Sequence, residues 1–341
     1  MRLEAPFWWY RTAGPLALAL APLSHLYARV AEARAARVVP YRSRLPVVCL
    51  GNFTAGGGGK TPTAIAVAEL LKGLGQRPAF LSRGYGGQRH GPSFVSEGDS
   101  AAEVGDEPLL LARIAPTVVA RDRAAGARAI EAAGHGVIVM DDGFQNPGLA
   151  KDLSLIVVDA ALGLGNGLVL PAGPLRAPLD GQLARADALI VVGEGGKAQS
   201  LADAFERQGK PVLKAAIVPQ GDPRWLGVLP VIGFAGIARP EKFYGTLRNN
   251  GARLVQTRSF PDHHVFTERE ARALLASASE RNAMLVTTEK DWVRLPEDRQ
   301  TDLGELKFRC RPLPVAIAFA DEARLKALLE AAITKKTGRL T

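Results

Sequence analysis

Three features of the sequence predict an α/β fold with a mostly parallel sheet. Short apolar runs recur: Leu45–Leu50, Gly136–Met140, LSLIVVDA from Leu153 and DALIVVG from Asp187. Helical segments alternate with them, and repeated strand–helix units imply parallel strands with helices on both faces. A glycine-rich turn also separates the first run from its helix. At 341 residues the chain is too long for one ordinary core, and 47% apolar against 23% charged residues excludes a disordered tail. The expected layout is a membrane-associating helix over 1–35, a P-loop domain over 36–215 and a β-type connection over 216–230. A smaller C-terminal α/β domain then covers 231–341.

The N-terminal element is read first from charge. Residues 1–45 hold seven arginines against Glu4 and Glu32, five of the net +9. No zinc-finger, basic-zipper or aromatic RNA-binding pattern accompanies this charge, so no nucleic-acid partner is expected. A basic end beside apolar sequence fits an anionic membrane surface. Between Arg11 and Arg29 lie 17 residues without formal charge. As a helix they span about 26 Å, short of the hydrocarbon core. Leu16, Leu20 and Leu23 share one face, and Trp8, Trp9 and Tyr10 suit the headgroup level. The basic residues mostly follow the apolar run, which argues against a cleaved signal. The helix is expected to lie in or dip into the membrane surface; packing on the protein's own core is the alternative. Two cysteines, Cys49 and Cys310, exclude a disulfide scaffold or a four-thiolate metal site.

The nucleotide site comes next. In LPVVCLGNFTAGGGGKTPTAIAVAELLKGLG a strand, a loop and a helix follow in order. Gly56, Gly57, Gly58 and Gly59 allow the tight turns of a phosphate cradle, with amides at a helix N-terminus. Lys60 would reach the β and γ phosphates of ATP, and the Thr61 hydroxyl would take magnesium. The strict P-loop pattern places glycine where this chain has Thr54. Phosphoryl transfer also needs a carboxylate near the metal. Asp141 and Asp142 end an apolar strand, at the sheet edge where ligands bind. Farther on, Pro240 suits a helix start after VIGFA, and RNAMLVTTEKD and PVAIAFADEARL continue as strand then helix.

The chain resembles the tetraacyldisaccharide 4'-kinase family. The resemblance rests on GNFTAGGGGKTPT at 51–63, SRGYGG at 82–87, VGDEP at 104–108, DDGFQ at 141–145, LPAGPLR at 170–176, GFAGIARPEKF at 233–243, FPDHH at 260–264 and TTEKD at 287–291. These motifs run in family order over nearly the whole chain. The family's P-loop also lacks the first glycine, so Thr54 is expected and joins the nucleotide-binding set. The resemblance implies transfer of the γ-phosphate of ATP, with Mg2+, to the 4'-hydroxyl of an acylated glucosamine disaccharide 1-phosphate. It further implies lipid A biosynthesis at the cytoplasmic face of the bacterial inner membrane, where the protein is expected to be peripheral or shallowly anchored; a monomer is expected. Two positions depart from the family pattern: Asn146 follows DDGFQ where His is usual, and Ala177 follows LPAGPLR where Glu is usual.

The acceptor is a hydroxyl, so a group should accept or orient its proton. Read from the residues, Asp106 fits an N-cap of a helix starting near Pro108; the resemblance makes it the catalytic base, with His263 polarising or orienting it and His264 structural. Lys60 and Asp142 complete the expected catalytic set. Thr61, Asp141, Asp142 and Gln145 form the expected metal set. Arg83 and Arg176 are expected to clamp phosphates, Lys290 to assist, and Tyr85 to shape the sugar pocket. Asp106 would come from one domain and His263 from the other, so catalysis needs the domains to close. A different P-loop ATPase, such as a metal-insertion or amide-forming switch, would share the loop and the acids but need no lipid. A membrane-peripheral scaffold would keep the loop for folding only.

Overall fold

The structure is a computed structural model that describes residues 6–56 and 58–338. Eight strands run in order through its first part: β1 (Val47–Gly51), β2 (Pro78–Ser82), β3 (Ser93–Phe94), β4 (Thr117–Val119), β5 (Val137–Met140), β6 (Leu153–Asp159), β7 (Ala188–Val192) and β8 (Val212–Pro219). Four more, β9 (Val231–Ala235), β10 (Leu254–Ser259), β11 (Met284–Thr288) and β12 (Cys310–Leu313), form a second sheet. The last strand, β13 (Val315–Phe319), returns to the first.

The larger sheet has the order β13-β8-β7-β6-β1-β5-β2-β4-β3, and its inner pairings are all parallel. β1 reads as a continuous apolar run because both its faces are covered. Val47 and Cys49 enter one core with Ile138, Met140, Ile130 and Phe205. Val48 and Leu50 enter the other with Val67, Leu71 and Leu155. The two flanks of the sheet wind outward from β1 in opposite directions, through β6 on one side and β5 on the other. That reversal opens a crevice at the carboxyl end of β1, where open α/β sheets bind ligands. The smaller sheet, β10-β9-β11-β12, is wholly parallel, and its centre strand β9 makes a second such crevice.

Two boundaries differ from expectation. β8 continues to Pro219, so residues 216–219 belong to the larger sheet and not to a connection. β13 pairs antiparallel with β8, and helix Glu322–Thr337 buries Leu325, Leu329 and Ala332 against Val67 and Leu71. The end of the chain therefore belongs to the larger unit, and the smaller one closes near residue 314. The PVAIAF run has strand character in either sheet, and its pairing with β8 is a tertiary contact that strand character alone does not specify.

Helix Pro15–Ala36 buries small residues, Ala17, Ser24 and Ala28. The Ser24 hydroxyl donates to Val169 O (2.8 Å) and accepts from Ala172 N (3.1 Å), tying the helix to the 163–176 loop. Its large apolar side chains, Leu16, Leu18, Leu23, Leu26 and Val30, stay exposed. Trp9 and Tyr10, expected at headgroup level, are half-buried and bond the chain: Trp9 Nε1 donates to Pro171 O (3.1 Å) and Tyr10 Oη to Ala55 O (3.3 Å). Among the described residues no helix is long and apolar enough to cross a membrane.

Candidate active site

The loop after β1 turns into helix Lys60–Gly73 through Gly59, whose φ of +84° is strained for any side-chain-bearing residue. Gly57 lies outside the described residues. Asn52, which sequence reasoning missed, sets the shape of the loop: its buried Oδ1 accepts from both Thr54 N and Thr54 Oγ1 at 3.0 Å. The Thr54 side chain is thus turned into the loop, and its carbonyl accepts from Arg176 Nε (3.1 Å). Gly58 packs beside Asn52, where a Cβ would meet Nδ2 at 3.1 Å.

Lys60 is buried, donates to Gly56 O at 3.0 Å and stands 3.9 Å from Asp142 Oδ1. Thr61 Oγ1 donates to Asp141 Oδ2 (3.2 Å), while Asp141 Oδ1 is buried with no partner among the described residues. Burial, together with Glu107 and Asp142, pushes Asp141 up to about 7. Such a carboxylate, beside a hydroxyl and with one oxygen unsatisfied, fits a divalent cation. Asp142 is also raised by burial, but Lys60 and a two-pronged bond from Arg176 (3.0 and 3.1 Å) bring it below its ordinary value. Arg176 is therefore paired with a carboxylate here.

Gln145 is turned elsewhere. Its amide pairs with Gln182 Oε1 at 2.5 Å, and it lines the groove under the N-terminal helix with Tyr27, Arg34 and Pro147. Among the described residues Gln145 makes no hydrogen bond to Thr61 or Asp141; its Nε2 is given to Gln182.

Arg123 is a second residue that sequence reasoning missed. It begins helix Arg123–Ala132 after β4 and is buried, with its Nε unpaired among the described residues. Burial and the charge of exposed Arg83 bring Arg123 down to about 10, while Asp141 and Asp142 act the other way. Arg123 thus borders the acid pair, and Arg83 stands near Arg123. A cation in the first helical turn opposes the helix dipole, and that was the signal available in the sequence.

Opposite this cradle the smaller unit contributes its own crevice. His263, at φ +55° after β10, is held by its amide on Gly236 O (3.1 Å). Its Nδ1 lies 2.9 Å from Asp106 Oδ2, and Tyr85 packs edge-on to the imidazole with centroids 5.3 Å apart. Asp106 is the first residue of helix Asp106–Ala112, and Gly105 takes the cap position expected for it. Its Oδ1 accepts from Glu107 N (2.9 Å). Burial favours the neutral acid, but the His263 hydrogen bond, Lys290 and Arg294 outweigh it and hold Asp106 far below the usual carboxylate range. Lys290, expected near phosphate, donates to Glu107 (2.6 Å). His264 faces away, bonding Glu270 (2.9 Å) and stacking on Phe260.

Comparison with known proteins then decides the family. The family model for tetraacyldisaccharide-1-P 4'-kinase matches residues 16–334. The chain belongs to this kinase family. A tetraacyldisaccharide 4'-kinase of Methylorubrum extorquens is 51% identical over 333 residues, 96% of this chain and 98% of the relative. One of Parvibaculum lavamentivorans is 47% identical over 346 residues, covering 99% and 100%. Among solved structures, LpxK from Aquifex aeolicus in complex with ATP matches with a TM-score of 0.71 and 28% identity, over 93% of this chain and 99% of that one. The kinase-family motifs at 51–63, 104–108, 141–145 and 260–264 are those that meet around the crevice.

Proposed function

We propose that this chain transfers the γ-phosphate of ATP to the 4'-hydroxyl of an acylated glucosamine disaccharide 1-phosphate, in lipid A biosynthesis. The observation that carries this reading is the facing of two half-sites. A phosphate cradle with its acid pair stands on the larger unit, and an Asp106–His263 dyad spans the two units. The match to tetraacyldisaccharide kinases of similar length supports the acceptor.

In this reading the β1 loop is a P-loop: the amides of Gly58–Thr61 and the Lys60 ammonium hold the β and γ phosphates. Thr61 and Asp141 would hold Mg2+, with Asp142 beside them, and the ion would supply neutralisation of charge on the phosphoryl oxygens. Arg83 and Arg123 face the same charge. Glu107, next to Asp106, acts on Asp141 electrostatically, so the dyad sits at the edge of this cradle.

The dyad roles follow from who bonds whom. Asp106 has both oxygens engaged, so it orients more readily than it accepts a proton. With His263 Nδ1–H donating to the Asp106 carboxylate, Nε2 carries the lone pair and takes the proton of the 4'-hydroxyl. This assignment exchanges the two roles expected from the resemblance. Tyr85 lies beside that ring, where the sugar would stand. One chain supplies the whole dyad, so a monomer suffices.

The exposed apolar face of helix Pro15–Ala36, with Arg29 and Arg34 beside it, rests on the anionic surface that carries the substrate, at the cytoplasmic face of the inner membrane. The test is ADP release from Mg-ATP in mixed micelles. Turnover should depend on the phosphorylated, acylated disaccharide; equal turnover without it would support an ATPase of another kind.

A further inference from the structure

Helix Glu289–Arg294 of the smaller unit brings two cations onto the first turn of helix Asp106–Ala112. Lys290 meets Glu107, and Arg294 meets Asp106. Arg294 Nε donates to Asp106 Oδ2 at 2.8 Å, and Nη2 donates to the same oxygen. Its third nitrogen, Nη1, donates to Asp291 Oδ1 (2.8 Å) and to Gly236 O (2.9 Å). Asp291 is fully buried and accepts in turn from Gly236 N (3.1 Å) and the Thr288 hydroxyl (2.6 Å). The guanidinium side chain is 8% exposed. One edge of its fork is thus built into the end of β9 and β11, and the other is presented to the larger unit. The Gly236 carbonyl that Arg294 bonds also holds the His263 amide.

We propose that Arg294 is a positioning residue for phosphoryl transfer: it fixes the Asp106 carboxylate in the orientation that aligns His263, and so makes correct seating of the smaller unit a condition for that alignment. Without the guanidinium, Oδ2 would keep the imidazole alone, and a terminal carboxylate torsion is soft. Lysine carries the charge but as a point, and cannot hold Asp106, Asp291 and a carbonyl in one planar fork. The charged and titratable groups facing Asp106 are His263, Lys290 and Arg294 from the smaller unit and Glu107 from its own helix, with Asp291 behind Arg294. Loss of the Arg294 charge leaves the carboxylate easier to protonate.

This inference rests on the phosphotransfer reading, so wild type is assayed in parallel with Mg-ATP and the acylated disaccharide 1-phosphate. Arg294→Met should keep KM for ATP within about twofold, lower kcat roughly 10- to 100-fold, and move the acidic limb of the kcat–pH profile upward. Arg294→Lys should lower kcat by roughly fivefold or more and leave the limb in place. Wild-type kcat in either variant would overturn the proposal. So would a parallel loss of kcat and ATP affinity with the limb unmoved, the signature of a merely structural role. If Arg294→Met does not fold, Arg294→Lys alone decides by its kcat. Absence of lipid-dependent turnover in wild type would instead overturn the underlying reading.

Discussion

Thr61 Oγ1 donates to one oxygen of Asp141 at 3.2 Å, and the other oxygen is buried without a partner among the described residues. Burial and the neighbouring Glu107 and Asp142 carry this carboxyl from 3.8 to about 7. A carboxyl whose folded pKa lies above its unfolded one weakens the fold as pH rises between the two values. Asp141→Asn should therefore stabilise the metal-free protein at pH 8 by roughly 1–3 kcal/mol and change little near pH 4. It should also remove the extra thermal shift that Mg2+ adds to ATP. Melting curves at both pH values check this; a destabilised variant at pH 8 would contradict the proposed burial cost.

Asp106 is held ionised at the junction of the units. Asp106→Asn should lower kcat by roughly 100-fold or more while leaving KM for ATP nearly unchanged. Steady-state kinetics with saturating lipid measure it, and full activity in the variant would remove Asp106 from the mechanism.

The outward face of helix Pro15–Ala36 can be tested apart from folding, because Leu18, Leu23 and Leu26 are each more than half exposed. Changing all three to Gln should leave the melting temperature within about 2 °C and weaken flotation with anionic vesicles by more than about tenfold. Unchanged flotation would place the membrane contact elsewhere.

The family departures at Asn146 and Ala177 converge near one side chain. Gln182 donates to Ala177 O (2.8 Å) and accepts from Gln145, the neighbour of Asn146. Asn146→His alone and Ala177→Glu alone should each fail to raise kcat/KM, with the double change tolerated better than the singles sum to. A double-mutant cycle reads this directly, and coupling within about 0.3 kcal/mol of zero would show the sites to be independent.

Much of this was legible in residue order, because local chemistry determined it. The strand–loop–helix at 47–73 follows from an apolar run, glycines and an apolar helix, all contiguous. The placement of Asp141 and Asp142 follows from an apolar strand ending in two acids. What remained hidden was set by partners distant in sequence. Arg294 looks like an ordinary helix cation until β9 and helix Asp106–Ala112 are brought to it. Gln145 stands in a motif with metal-side acids, yet Gln182 takes its amide. The return of β13 to β8 depended on a pairing with a strand about a hundred residues back. Asn52 acts by bonding two residues ahead, a local Asx pattern that could have been read.

Phosphoryl transfer to a sugar hydroxyl on a lipid leaves a product whose structure can be read. Its most direct measurement uses γ-labelled ATP, Mg2+ and the acylated disaccharide 1-phosphate, with the label's position assigned by phosphorus-coupled NMR of the lipid product. One new phosphate monoester is expected, at the 4' position, formed one for one with ADP and abolished by Lys60→Ala. Label released only as inorganic phosphate, or found at another hydroxyl, would contradict it.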